Sequence, residues 1–139
     1  MKAAKINSSN KEVKIIDYKP KKHDITLLQS LIGCSAFGGV GYTYDDQGGT
    51  IFYDDNGLYK TPVTWFYIPD LYPMPIAGNC VILGVDVASG ESISIPKALS
   101  DDLLSGACHV GFPNSDKVVQ IERDIMNASA VKSKEAPLW

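Results

Sequence analysis

Apolar and β-branched residues run almost without interruption through residues 76–87. Within this run Cys80, Val81, Ile82 and Leu83 offer no polar face, which is typical of a strand that is covered on both sides. We therefore predict that residues 76–87 form the central strand of a sheet. The rest of the chain has to supply the cover for both faces of that strand.

A second strand pattern lies at the start of the chain, where residues 2–6 and 12–18 flank a polar cluster of turn-forming residues. In the second segment Val13 and Ile15 alternate with Lys14, the period-two pattern of a half-buried strand. The two segments are predicted to form a β-hairpin.

Three segments have the apolar spacing of amphipathic helices that pack on a sheet. Residues that favour helix ends mark them: Asp24 as an N-cap, Gly33 and Gly106 at C-terminal ends, and Asn114 or Ser115 as an N-cap. The predicted helices cover residues 24–32, 98–105 and about 115–128, with Leu27, Leu28, Leu31, Ile32, Leu99, Leu103, Leu104, Val118, Ile121, Ile125 and Met126 facing inward.

One turn pattern occurs twice, as Tyr-Asp-Asp-Gln-Gly at residues 44–48 and as Tyr-Asp-Asp-Asn-Gly at residues 53–57. Asn-Gly is a favoured pair for a tight hairpin turn, and Gly48-Gly49 can serve the same purpose. The pattern predicts a meander of three strands at residues 37–44, 50–54 and 58–61.

Residues 62–75, called here the aromatic loop, combine four prolines with large apolar side chains. The prolines exclude a long helix or a central strand. Two interpretations stay open: the loop folds back as a lid on the sheet, or it forms a stiff surface that contacts a partner, since Trp, Tyr and Met are enriched at protein interfaces. The side chains concerned are Trp65, Phe66, Tyr67, Leu71, Tyr72 and Met74.

The length of 139 residues and the apolar fraction of 45% are those of one folded domain. We predict a single α+β domain over residues 1–128, followed by a tail at residues 129–139. Its sheet is predicted to be mostly antiparallel, with five to seven strands, packed by one helix from the N-terminal half and by the C-terminal helices. Residues 91–95 are predicted to pair with the central strand.

The chain has no apolar run of 18 residues, and its first ten residues lack the apolar centre of a secretory signal. We therefore expect a cytoplasmic protein that does not cross a membrane. The widely spaced Cys34, Cys80 and Cys108 are expected to be reduced thiols rather than a disulfide framework.

Charge is unevenly distributed along the chain. Residues 1–22 carry a net charge of +5, and residues 45–102 carry −7. The two regions are expected to attract each other or to lie on solvated faces. The whole chain is acidic, at −3, and Arg123 is its only arginine, so nucleic acid is not an expected partner.

The sequence contains few of the residue patterns that are typical of active sites. Its two histidines are His23 and His109, and the adjacent Cys108-His109 would point to opposite faces of a strand. Paired aspartates occur where turns or helix starts already explain them. We therefore predict no catalytic residues, no metal site and no cofactor.

Three segments resemble a domain-of-unknown-function family of short proteins from bacteriophages and bacterial mobile elements. They are Leu-Leu-Gln-Ser-Leu-Ile-Gly at residues 27–33, Asp-Asp-Asn-Gly-Leu-Tyr-Lys at 54–60 with Pro62 after it, and Ile-Ala-Gly-Asn-Cys-Val-Ile-Leu-Gly-Val-Asp at 76–86. The resemblance covers residues 2–105. It implies a phage-like or plasmid-like origin, no established activity and a place among small accessory genes that act on the host.

The function expected from these observations is that of a small non-catalytic accessory protein. It would bind and inhibit or sequester a host component, with a host protein such as a defence factor as the expected partner. The predicted contact residues are Trp65, Phe66, Tyr67 and Tyr72, with Asp54 and Asp55 as an acidic rim.

Two alternatives remain at this point. One is a protein that captures a small nucleotide-like anion with the backbone of Gly38, Gly39 and Gly41 and the side chains of Lys21 and Lys22. The other is a hydrolase that uses the clustered aspartates with a divalent cation. Homo-oligomerisation also stays open, because the aromatic loop and Trp139 are apolar.

Overall fold

A computed structural model describes residues 1–22 and 24–135, with side chains up to residue 128. It confirms a single α+β domain with an antiparallel sheet. The elements in chain order are β1 Lys2–Asn7, β2 Glu12–Asp17, α1 Thr26–Ile32, β3 Phe37–Tyr44, β4 Gln47–Asp54, a 3-10 helix Gly57–Tyr59, β5 Trp65–Phe66, β6 Ile76–Ala77, β7 Cys80–Val85, β8 Ser92–Ile93, α2 Lys97–Ser105 and α3 Ser115–Glu135.

The main sheet has six strands in the order β2-β1-β7-β4-β3, with β8 paired to the end of β7. All of its pairs are antiparallel. The prediction that the apolar run supplies the central strand is confirmed, because β7 lies between β1 and β4. The predicted pairing with residues 91–95 is confirmed at β8.

The apolar run is nevertheless two strands rather than one. Its first part, β6, pairs with β5 in a separate two-stranded sheet. Gly78 then adopts a φ of 90°, which glycine tolerates and other residues rarely adopt. Asn79 anchors this break: its Oδ1 accepts the Ser8 N–H at 2.8 Å, and its Nδ2 donates to the Ile32 carbonyl at 3.3 Å.

Both faces of the central strand are covered, as the sequence predicted. On one face Leu28 and Ile32 of α1 pack with Val81 and Leu83. On the other face the aromatic loop and α2 pack against the sheet in a larger cluster. The buried members of that cluster are Ala4, Ile6, Tyr42, Ile51, Phe66, Ile68, Leu71, Cys80, Ile82, Ile95, Leu99, Leu103 and Cys108.

The three predicted helices exist, with corrections at one N-cap and at two apolar positions. The N-cap of α1 is Ile25 and not Asp24, whose Oδ1 accepts the Thr26 N–H at 2.8 Å. Leu104 is 62% exposed and Met126 is 70% exposed, so neither faces inward. Asn114 caps α3, since its Oδ1 accepts the Lys117 N–H at 2.8 Å. This helix continues to Glu135, beyond the predicted end near residue 128. Residues 136–139 lie outside the described part of the chain, as does His23. They include Trp139, whose apolar side chain was one reason for leaving homo-oligomerisation open.

The β3–β4 hairpin closes with Asp45 and Asp46, whose φ values of 49° and 61° are those of a tight primed turn. The first predicted hairpin tip is therefore confirmed. Gly48 and Gly49 belong to β4 and not to a turn. The predicted strand at residues 58–61 is wrong, because the chain after Asn56 forms the 3-10 helix instead.

Among the described residues, none of the three helices combines the length and the apolar character needed to cross a membrane.

Candidate functional site

A groove of about 400 Å³ opens where the aromatic loop meets the end of the β3–β4 hairpin and one side of α3. We call it the aromatic groove. Its lining is mainly apolar and comes from segments far apart in the sequence. The lining residues are Val40, Tyr53, Asp54, Asp55, Gly57, Leu58, Trp65, Tyr72, Met74, Pro75, Ile76, Ala77 and Glu122.

The two residues of β5 have opposite roles, because successive side chains on a strand point to opposite faces. Trp65 lies in the groove and donates its indole N–H to Ser115 Oγ of α3 at 3.1 Å. Phe66 is only 1% exposed and belongs to the core. The Phe66 ring, which was predicted to contact a partner, is therefore not available at the surface of the folded protein.

Beyond β5, the side chains of the aromatic loop also divide between the core and the surface. Ile68 and Leu71 are buried against the sheet, so the loop does act as a lid. Tyr72 lies in the groove. Tyr67 does not, because its backbone pairs with Gly111 and its side chain lines a different cleft beside α3. The structure thus brings Trp65 and Tyr72 together and places Tyr67 apart.

Asp54 and Asp55 also differ, although they are neighbours. The Asp54 side chain is 1% exposed, and its Oδ2 lies 2.6 Å from Lys60 Nζ. Its Oδ1 accepts the Asn56 N–H at 2.9 Å. Asp54 is therefore a structural group at the floor of the groove, which corrects its assignment to an exposed rim. Asp55 is exposed and does lie at the rim.

The rim of the aromatic groove is acidic. Asp55 on the hairpin and Glu122 on α3 line it, while the charge of Asp54 is compensated by Lys60. The described lining includes no lysine, arginine or histidine. Such a site favours an apolar group that lies next to a positive charge.

Leu58 and Glu122 are among the lining residues that the sequence did not predict as contact residues. Leu58 is 62% exposed, because the 3-10 helix turns it outward where a strand was predicted. Glu122 lies four residues after Val118, which is 2% exposed, and so shares the inward face of α3. The helical spacing from Val118 was the available signal for Glu122, although only the packing of α3 places it beside the groove.

The residues proposed for anion capture do not form a cradle. Gly38, Gly39 and Gly41 lie in an extended strand that pairs with β4, without a helix start next to them. Lys21 and Lys22 lie in the connection between β2 and α1, and β2 is the strand at the opposite edge of the sheet. Four strand spacings, about 19 Å, separate the two edges. The structure therefore does not bring these residues together into one site.

Packing explains why one residue of that stretch, Gly38, is a glycine. A Cβ at Gly38 would lie 2.7 Å from the ring of Tyr53, which occupies the space above the strand. A larger residue would displace this ring from the groove lining. Gly38 therefore shapes the wall of the aromatic groove.

The aspartates proposed for a divalent cation are also separated. Asp45 and Asp46 lie at one end of β4, and Asp54 and Asp55 at the other end, about 25 Å away. In the part of the chain that the structure describes, no three His, Cys, Asp or Glu side chains are close enough to hold a metal ion. The four aspartates thus do not form the site that the hydrolase alternative requires.

The thiols are poor nucleophiles in this setting. Burial raises the pKa of Cys108 to about 11, helped by the negative charges of Asp70 and Asp102. Burial likewise raises the pKa of Cys80 and of Cys34. These side chains stay protonated at neutral pH, and a protonated thiol is not a nucleophile.

Replacing Lys60 with methionine is expected to destabilise the fold by about 3 kcal/mol, because it leaves the buried Asp54 carboxylate without its cation. Lys60 also donates to the Gly33 carbonyl at 2.7 Å, so the change loosens the contact with the end of α1. Urea unfolding measures the difference. The matched control is Lys97→Met, which breaks the exposed pair with Asp101 and should change stability by less than about 1 kcal/mol. Equal effects of the two changes would show that the buried pair is not structural.

Comparison with known proteins identifies one family. A family model described as a domain of unknown function (DUF3846) matches residues 1–106. No curated protein matches the chain, and no solved structure matches it. The matched region includes every groove residue from Val40 to Ala77, whereas Glu122 lies beyond it.

Proposed function

This chain belongs to the DUF3846 family, whose function is unknown, and we propose that it is a small non-catalytic accessory protein that binds a host protein through the aromatic groove. A bacteriophage or a mobile element encodes it, and it acts in the cytoplasm of the host cell. Binding inhibits or sequesters the partner, for which a defence factor is the leading candidate. The observation that carries this proposal is the groove itself, in which Leu58, Trp65 and Tyr72 converge.

The chemistry of the groove supports a protein partner. Trp and Tyr are the residues that most often dominate the binding energy of interfaces, particularly where they surround a pocket. A volume of about 400 Å³ accommodates one or two large side chains from a partner. Leu58 and Tyr59, which are 62% and 85% exposed, extend the apolar surface beside it. Apolar surface that projects from a folded domain in this way is typical of an interaction site.

The acidic rim defines the partner further. Asp55 and Glu122 carry negative charge at the border of the groove, while the groove wall is apolar. We infer that the partner inserts an apolar side chain flanked by lysine or arginine. Complementary rim charges of this kind mainly raise the association rate and select between partners.

The test is affinity capture from a lysate of the bacterial host, with mass spectrometry and with a nuclease-treated arm. Leu58→Ala is expected to reduce recovery of the specific partner at least tenfold, since it removes an exposed side chain of the groove. Leu104→Ala is the matched control, because Leu104 on α2 has the same exposure of 62% and does not line the groove.

Recovery that survives nuclease and falls with Leu58→Ala alone would support the proposal. A partner that both variants recover equally would contradict the assignment of the groove. A partner that disappears after nuclease treatment would identify nucleic acid as the bridge and overturn a protein target.

A further inference from the structure

The β3 strand forms a free edge of the main sheet. It pairs with β4 on one side, and none of the other backbone hydrogen bonds among the described residues uses a β3 amide or carbonyl. Its eight residues, Phe-Gly-Gly-Val-Gly-Tyr-Thr-Tyr, contain no charge and no proline. The register with β4 is regular from Phe37 to Tyr44, so no bulge interrupts the edge. Natural sheets usually protect an edge of this length with charged residues, prolines or bulges.

The hairpin geometry determines which amides point outward. Tyr44 and Gln47 flank a two-residue turn and therefore form a hydrogen-bonded pair. Because hydrogen-bonded and non-bonded positions alternate, Val40 and Tyr42 also bond to β4. The outward N–H and C=O groups belong to the alternate residues, which are Phe37, Gly39, Gly41 and Thr43.

Side chains leave this outward backbone accessible. Gly39, Gly41 and Thr43 are exposed, and two of the three have no side chain. A Cβ at Gly41 would have no neighbour closer than 3.9 Å, so the absence of a side chain there is not explained by packing. Small residues at such positions allow another backbone to approach closely.

The other edge of the same sheet is different. Three of the six residues of β2 are charged, namely Glu12, Lys14 and Asp17. Asp17 forms an ion pair with Lys2 at 2.7 Å, and Glu12 forms one with Lys14 at 3.0 Å. Charged side chains along an edge oppose the addition of a further strand. The contrast shows that β3 is the edge suited to pairing.

The free edge adjoins the aromatic groove. Val40 of β3 lines the groove, together with Trp65 and Tyr72 from the aromatic loop. Residues directly opposite each other in paired strands place their side chains on the same face of the sheet. A strand added to β3 would therefore direct the residue opposite Val40 towards the groove.

We propose that the partner binds by β-strand addition: an extended segment of another protein pairs with the free edge of β3. An apolar side chain of this segment enters the aromatic groove, and a neighbouring lysine or arginine faces Asp55 and Glu122. The inference rests on the proposed function for the existence of a partner. The outward amides supply affinity that is independent of sequence, and the groove with its acidic rim supplies specificity.

The test uses eight-residue random peptides displayed on yeast and selected against the immobilised protein. The selected peptides are expected to alternate apolar residues with lysine or arginine. On binding, hydrogen exchange at the Gly39, Gly41 and Thr43 amides should slow at least tenfold. This measurement needs no mutation, so it remains valid if a variant is unstable.

A pair of variants isolates the backbone contact. Gly41→Pro removes an outward N–H that β4 does not use, which edge strands tolerate, and it should weaken peptide binding at least tenfold. Gly41→Ala keeps the N–H and should therefore weaken binding at least fivefold less than Gly41→Pro does. Thermal unfolding checks that both variants are folded.

One outcome would overturn strand addition while the groove assignment stands. In it, peptide binding is weakened by Leu58→Ala and not by Gly41→Pro, and hydrogen exchange at the three amides does not slow. Binding that needs the Gly41 amide but not Leu58 would support strand addition and contradict the groove. Slower exchange at these amides in the protein alone, increasing with its concentration, would identify a second copy as the occupant and overturn a different partner. Failure to enrich any peptide would overturn the inference.

Discussion

Replacing Phe66 with alanine is expected to lower the free energy of unfolding by about 4 kcal/mol, the usual cost of deleting a fully buried phenylalanine ring. Phe66 is 1% exposed and belongs to the buried cluster that contains Ile82 of β7 and Leu99 of α2. The cavity would lie beneath the aromatic loop, so the groove should lose its shape together with the stability. Urea unfolding followed by far-UV circular dichroism measures the change.

The adjacent Trp65→Ala variant is the control for Phe66→Ala. Trp65 is partly exposed on the groove side, so its loss should cost about 1 kcal/mol of stability. It should, however, remove partner binding, because Trp65 is a principal aromatic side chain of the groove. If Trp65→Ala unfolds the protein as readily as Phe66→Ala does, the division of β5 into a core side and a binding side is wrong.

Replacing Gly49 with alanine is expected to cost about 4 kcal/mol, from overpacking and from a lost buried hydrogen bond. Tyr42 lies across Gly49 and donates its hydroxyl to the Leu83 carbonyl at 2.8 Å. A Cβ at Gly49 would lie 2.2 Å from the Tyr42 ring and 2.3 Å from that carbonyl, so the ring has to leave. Burial raises the pKa of Tyr42, which is consistent with a phenol that water does not reach.

The Gly41→Ala variant serves as the control for Gly49→Ala, since Gly41 lies on the neighbouring strand with no atom closer than 3.9 Å to an added Cβ. Its stability should change by less than about 0.5 kcal/mol. Thermal and urea unfolding compare the two variants. A Gly49→Ala protein as stable as the wild type would show that Tyr42 does not pack against β7 in this way.

Much of the architecture follows from local patterns. The N-terminal alternation, the turn at Asp45 and Asp46, and the glycines that end α1 and α2 each act within a few residues of chain. The unbroken apolar run predicted a doubly covered central strand, because burying a strand on both sides requires apolar residues at every position. These features could be predicted because period and turn chemistry are local properties.

The hairpin turn predicted at residues 56–57 is wrong, although it was inferred from the same kind of local pattern. Asn56-Gly57 has the composition of a hairpin turn, yet the chain there forms a 3-10 helix. A Cβ at Gly57 would lie 2.6 Å from the Ala77 carbonyl, so this glycine is needed for the close approach of β6. A turn pair in the sequence does not distinguish conformational freedom from tertiary contact.

The candidate site was predictable as a segment and not as a set of side chains. The aromatic residues and four prolines of residues 62–75 indicated a segment that either covers the sheet or contacts a partner. Composition did not separate Trp65 from Phe66, or exposed Asp55 from buried Asp54. Each pair is chemically similar, and only the packing of β5 against β6 and of Lys60 against Asp54 assigns one member to the interior.

The sequence by itself determined the α+β class, the central strand, the helices and the position of the apolar loop, because these depend on hydrophobic period and on local turn preferences. The tertiary structure alone decided that the aromatic groove joins Val40, Leu58, Tyr72 and Glu122. It also decided that β3 is a free edge beside that groove. Strand order and the path of a loop depend on contacts between distant segments, which no short window of sequence records.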